Sequence, residues 1–172
     1  CTSFDLSLQG MQFVERVQWM PTFNIQYAVG VDGISILMVM LTVLLCPLCV
    51  LCSWTSIKTR VRAFLSLILL VEGAMIVVFT ALDLFLFFML WELTMIPMYF
   101  MIILWGGPNR LAAGLKFVLY SLAGSLLLLI GILGVYLNGG NTYDLLVLTE
   151  HTYSSSTQSW LFLAFFLSFA IK

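Results

Sequence analysis

The sequence predicts an all-α fold, a polytopic bundle of transmembrane helices, and three observations carry that expectation. The first is composition. Of 172 residues, 62% are hydrophobic and 9% charged, against about 25% charged in soluble domains, and the mean hydropathy is +1.11. A chain of this length cannot hide so much apolar surface from water. The second is a series of uncharged apolar runs long enough to cross a bilayer. The third is the placement of Glu92, Glu72 and Lys172 in such runs, where an ionisable group at a helix centre costs roughly 2.5–3.5 kcal/mol to insert. The net charge of −1 offers nothing to nucleic acid.

In chain order, residues 1–32 are mixed in character. Glu15, Arg16, Trp19 and Tyr27 suit a membrane interface, and Pro21 breaks any helix there. There is no basic flank with an apolar stretch behind it, so no secretory signal is expected. The first span is 34–54, 21 uncharged residues, enough for about 30 Å of hydrocarbon at ~1.5 Å per residue. Pro47 should kink it and Trp54 should sit at its interface. The next apolar stretch, 63–105, has 43 residues and is too long for one span. Asp83 divides it into helices over 63–80 and 84–104, with Pro97 bending the second and freeing a backbone carbonyl near Glu92. Gly106-Gly107-Pro108-Asn109-Arg110 is a turn by composition. A helix over 111–137 follows, whose Gly124, Gly131, Gly134, Ser121 and Ser125 predict a closely packed neighbour. Residues 138–158 read as a polar loop with a helical turn near Leu145. The last apolar segment, 159–172, is too short to span and reads as truncated. The opening at Cys1 and the stop within an apolar run are both expected of a piece of a longer protein.

Successive spans alternate direction. One side of the membrane therefore collects Lys58, Arg60, Arg62 and Arg110, while Arg16 alone supplies positive charge to the other, with Asp5, Glu15, Asp32, Asp83, Asp144 and Glu150. The basic side is expected to face the cytoplasm, or the matrix of a mitochondrion.

Each candidate has a plain alternative. Glu92 is read as a proton-carrying carboxylate, because acids at this depth mark ion pathways; the alternative is an interhelical hydrogen bond. Lys172, closing an uncharged run, is its natural partner, or else a lysine that snorkels to the interface. Lys116 can snorkel in the same way, and Glu72 is a secondary relay acid. Asp32 and Asp83 stand at helix starts as caps. His151 is a solvated loop residue. Cys46, Cys49 and Cys52 fall at steps of three in one apolar run; packing explains them better than an iron–sulfur site, which needs a loop and a fourth ligand, and Cys1 is far away. No metal, disulfide framework or catalytic residue is expected. Phosphate loops, dinucleotide fingerprints and Ser/His/Asp constellations are absent from the sequence.

Several segments, in order and spacing, resemble subunit 4 of the proton-pumping NADH:quinone oxidoreductases (respiratory complex I). They are Gly30-Val31-Asp32-Gly33-Ile34-Ser35, Leu82-Asp83-Leu84-Phe85-Leu86-Phe87-Phe88, Trp91-Glu92, Ile96-Pro97-Met98-Tyr99, Leu104-Trp105-Gly106-Gly107, Lys116-Phe117-Val118-Leu119-Tyr120 and Phe169-Ala170-Ile171-Lys172. The resemblance implies part of an antiporter-like fold of about fourteen helices built on inverted repeats, from before the third helix into the seventh. It implies that Glu92 is the glutamate of the fifth helix and Lys172 the lysine of the broken seventh, an ion pair that gates proton movement. Lys116 then matches a sixth-helix lysine, and Glu72 a position where only some members carry an acid. It places NADH, FMN, iron–sulfur clusters and quinone in other subunits, leaving no cofactor in this chain. The implied partners are membrane-arm subunits of complex I, especially neighbouring antiporter-like subunits, the remainder of subunit 4, and membrane lipid. The implied location is an energy-transducing membrane, the mitochondrial inner membrane before the bacterial plasma membrane. The rival reading is a subunit of a monovalent cation/proton antiporter; a second is a structural membrane subunit with no ion path.

Overall fold

The computed structural model describes residues 4–5 and 10–172; Cys1 lies outside them. Among the described residues, two strands, β1 (Gln12–Met20) and β2 (Ile25–Val31), precede seven helices: α1 (Gly33–Ser53), α2 (Val61–Thr80), α3 (Leu84–Leu93), α4 (Met95–Trp105), α5 (Arg110–Asn138), the short α6 (Leu145–Glu150) and α7 (Ser155–Ile171). Among the described residues, four helical stretches are long and apolar enough to cross a membrane: Gly33–Ser53, Val61–Thr80, Leu84–Trp105 and Arg110–Asn138. Rows of leucine on α1, α5 and α7 face outward, as lipid-facing helices require.

An interfacial segment in which Pro21 breaks any helix is the expectation for 1–32, and no strands are expected there. Instead, its described part forms an antiparallel hairpin, turning through a 3-10 element at Pro21–Phe23 and a left-handed Asn24. The β-branched and aromatic residues on either side of Pro-Thr-Phe-Asn are strand formers, but the hairpin is held by tertiary bonds. The Leu82 N–H donates to the Ala28 carbonyl at 2.8 Å. Gly30 permits this approach, since a Cβ there would stand 2.8 Å from Leu82 Cδ1.

Asp32 caps α1 in a capping box, accepting from the N–H groups of Ile34 and Ser35, while the Ser35 hydroxyl accepts from the Asp32 N–H. The hydrogen bonds from Phe85 and Leu86 make Asp83 the cap of α3. Asp83 is 2% exposed and takes a third N–H from Gln26 in the hairpin. Burial pushes its carboxyl above the usual range, against the pull of these donors. The adjoining backbone is stitched to the 139–144 loop through Leu84 N–H to Tyr143 O at 2.9 Å and Leu145 N–H to Leu82 O at 2.8 Å. An Arg16–Asp144 ion pair ties the hairpin to the same loop. At the other end of the bundle Trp105 Nε1 donates to the Thr59 carbonyl at 2.8 Å.

Asp83→Ala removes a cap, costing about 0.5–2 kcal/mol, and strands the Gln26 N–H, costing about 1–3 kcal/mol. The expected result is a clear loss of thermal stability in detergent, only partly recovered by Asp83→Asn, whose single amide oxygen can keep the cap bonds from Phe85 and Leu86 while its NH2 meets the Gln26 N–H. Equal loss in both variants would contradict the account.

A helix break and a helix start differ from the sequence reading. The helix expected over 84–104 is broken at Thr94, three residues before Pro97. The proline ring crowds the carbonyl of the residue four back, Leu93, and supplies no N–H to it. The ladder loosens accordingly, with Thr94 N–H to Leu90 O at 3.3 Å and Met98 N–H to Thr94 O at 3.4 Å. Within the polar loop expected over 138–158, the helical turn expected near Leu145 is α6, capped by Asp144, and the first turn of α7, capped by Ser154, starts earlier than expected. Its Ser/Thr cluster is therefore a helix start, a position these residues favour.

The glycines of α5 meet α7. A Cβ at Gly124 would lie 2.9 Å from Ile171 Cγ2, one at Gly131 3.3 Å from the Phe165 ring, and one at Gly134 2.7 Å from Leu161. The fully buried Leu128 and Ile132 of α5 join Ile25 and Tyr143 in the core, with Phe85, Phe87, Phe88, Trp91 and Phe165 packed against them.

Candidate functional site

Pro97 ends α3 early, and Glu92 sits in the last turn thus created. The close α5–α7 packing carries Lys172, directly after Ile171, to the same point. Lys172 Nζ is 3.3 Å from Glu92 Oε1, with the two side chains 15% and 21% exposed. The ammonium also donates to the Trp91 carbonyl at 3.1 Å and lies 4.8 Å from the centre of the Trp91 ring. That carbonyl belongs to the loosened turn and takes the Thr94 hydroxyl at 2.7 Å as well. Pro97, itself fully buried in α4, deprives the Leu93 carbonyl of its N–H, whereas the carbonyl that Lys172 uses is that of Trp91, two residues earlier.

The surroundings are aromatic. Phe87 stacks on Trp91 at 5.5 Å, and Phe169 of α7 sets its edge against both rings. These rings limit water around the pair, and low dielectric strengthens the attraction between its charges. From α5, the Ser125 hydroxyl reaches Glu92 Oε1 at 2.5 Å. The carboxylate oxygen thus accepts from both an ammonium and a hydroxyl.

The structure unites Glu92 and Lys172, residues 80 apart in the chain, but not the other two candidates. Lys116 is exposed on α5, nine residues before Ser125, or about 13 Å along the axis at ~1.5 Å per residue. Glu72 lies on α2 beside Cys46 of α1. Asp32 and Asp83 cap helices, and His151 is exposed against the Tyr153 ring. Cys46, Cys49 and Cys52 are free. Among the described residues, no group of three or more His, Cys, Asp or Glu gathers as metal ligands.

Two participants were not read as such from the sequence. Ser125 was read as a packing residue; its available signal was the Ser121/Ser125 pair, one turn apart on the small-residue face of its helix. The Trp91 carbonyl carries no sequence signal beyond its place upstream of Pro97.

Comparison with known proteins adds a family. Residues 81–172 match the family described as NADH:quinone oxidoreductase/Mrp antiporter, TM, and residues 2–78 match NADH-ubiquinone oxidoreductase chain 4, amino terminus. NADH-quinone oxidoreductase subunit M of Rhodobacter capsulatus is 42% identical over 98% of this chain and 35% of its own length. A chain of respiratory complex I from Thermus thermophilus, solved with bound NADH, superposes with a TM-score of 0.79 at 34% identity, covering 96% of this chain and 35% of that one. A chain of the Mrp complex from Dietzia sp. superposes with a TM-score of 0.85 at 18% identity, covering 96% and 19%, a likeness of fold. The chain spans about a third of the length of the curated relatives it matches.

Proposed function

Since this multi-pass membrane chain belongs to the NADH:quinone oxidoreductase/Mrp antiporter family, and within it to the chain 4 or M type, we propose that it forms part of the proton-translocating machinery of an NADH:quinone oxidoreductase. The observation that carries this reading is the Glu92–Lys172 pair, two ionisable side chains from different helices meeting within the bundle at 3.3 Å. The ammonium and the carboxylate attract each other across this distance. Separating them lets a proton pass to waters and polar side chains, and re-forming the pair resets the site. Breaking the α3–α4 helix beside the pair supplies a place where such movement costs few backbone bonds.

On this reading the redox chemistry, with its flavin, iron–sulfur clusters and quinone, belongs to partner subunits, and the chain itself holds no cofactor. Its partners are the remainder of the antiporter-like subunit and the adjoining membrane-arm subunits. The drive arrives through conformation or charge. Lys116 and Glu72 serve as outlying relay groups. The membrane is an energy-transducing one, with the Arg60 and Arg110 end on the cytoplasmic or matrix side. The mitochondrial inner membrane remains the favoured location.

The test is to isolate the native assembly, add NADH and a quinone analogue, and follow acidification of vesicles. Redox turnover coupled to proton uptake is expected. A sodium-driven exchange with no response to NADH would replace this reading by the cation/proton antiporter, for which the Dietzia likeness provides a fold.

A further inference from the structure

We propose that Ser125 is a positioning residue that lets the Glu92–Lys172 pair exist in both an ionised and a neutral form, by turning its single hydroxyl hydrogen between two acceptors. This deepens, and rests on, the reading of the pair as a proton path. The Ser125 oxygen is 2.5 Å from Glu92 Oε1 and 3.0 Å from the Ser121 carbonyl one turn back on α5. A hydroxyl has one hydrogen and two lone pairs, so it cannot donate fully to both. Ser125 and Ser121 are each 4% exposed, and a buried polar atom left without a partner there is costly.

The two states follow from the geometry. In the ionised pair, Ser125 donates to the Glu92 carboxylate, which also accepts from the Lys172 ammonium. Moving one proton across the 3.3 Å between Nζ and Oε1 breaks an N–H bond of Lys172 and forms an O–H bond on Glu92. The products are an amine and a carboxylic acid, and the pair stays neutral overall. The acid has become a donor. Ser125 then swings its hydrogen to the Ser121 carbonyl and accepts from Glu92 with a lone pair, its own proton never leaving its oxygen. Neither state strands a polar atom at Ser125. Among the described residues, the charged groups on elements packed against α3 are Lys172 after α7, Arg62 and Glu72 on α2, and Arg110 and Lys116 on α5, while α4 and β2 contribute none; Lys172 is the one bonded to Glu92.

Serine bonding back to its own helix is also an ordinary way to satisfy a hydroxyl in a membrane, so the test must separate this from a working role. Native membranes carrying the assembled protein with Ser125→Ala, Ser125→Thr, Ser125→Cys or Glu92→Gln are compared by infrared spectroscopy, using the carboxyl band that Glu92→Gln removes, and by NADH-driven proton uptake across pH. Ser125→Ala is expected to raise the frequency of that band, displace the pH profile and slow uptake about ten-fold, the factor one charge-assisted hydrogen bond carries. Ser125→Thr restores all three, and Ser125→Cys, of similar shape but with a weak donor, falls between. Should Ser125→Ala fail to assemble, the Thr and Cys variants still decide the matter. An unmoved band and pH profile in the assembled Ala or Cys variant overturns the proposal. If Glu92→Gln instead leaves uptake intact, the proton-path reading falls, while the band still reports whether Ser125 bonds Glu92.

Discussion

Glu92→Gln is expected to abolish proton translocation, by roughly 100-fold or more, while the redox half of the assembly retains its NADH oxidation with an artificial acceptor. Glutamine keeps the length of the side chain and an oxygen for Ser125, so packing changes little. It removes the negative charge that answers Lys172 in this partly buried pair; breaking one side of a fully buried pair costs about 3–5 kcal/mol, and a cost of about 2.7 kcal/mol already corresponds to about 100-fold in rate or equilibrium. The measurement is vesicle acidification with redox turnover recorded in parallel. Glu92→Gln combined with Lys172→Met sharpens it, since deleting both charges leaves none unpaired and two side chains of similar volume. Stability should return toward that of the unaltered protein, while translocation stays lost. Recovery of both would make the pair structural, and unaltered pumping in Glu92→Gln alone would do the same.

A wedge between α5 and α7 is the second large effect. Gly124→Leu sets a side chain where even a Cβ would stand 2.9 Å from Ile171 Cγ2 and 3.4 Å from the Ser168 carbonyl. Overpacking of this kind costs about 1–3 kcal/mol. Its functional consequence is larger, because Ile171 precedes Lys172. Displacing the end of α7 by an ångström carries the ammonium off Glu92, and misplacement on that scale can cost about 100-fold in activity. The variant should therefore assemble at reduced yield and translocate poorly. Ile171→Ala, which removes the nearest of these atoms, Cγ2, but keeps the Cβ at 3.2 Å, should restore part of the loss in the double variant. Gly73→Ala on α2 is the matched control: no atom lies within 4 Å of the added Cβ, so translocation should be unaffected. A Gly124→Leu protein that pumps normally would contradict this account of how Lys172 is placed.

These expectations draw unequally on sequence and structure. The helix starts at Asp32 and Asp83 were readable because capping is local: a carboxylate and the N–H groups two and three residues on suffice. The spans were readable because a bilayer imposes length and apolarity on each helix separately. Glu92 was visible because lipid makes any ionisable group conspicuous. The bend in the third span was anticipated from Pro97; its position at Thr94 follows because the crowded carbonyl lies four residues upstream.

The sequence alone thus determined the membrane class, the approximate spans and the anomalous charges, all properties of one segment in a known solvent. Tertiary structure decided the rest. The hairpin depends on the Leu82 and Asp83 contacts, 50 or more residues away in the chain. The Glu92–Lys172 pairing depends on how closely α7 approaches the glycines of α5. Ser125 became a partner of Glu92 because the same packing turns its hydroxyl inward. Such contacts join residues that no local periodicity relates, so the geometry of the pair comes from helix against helix.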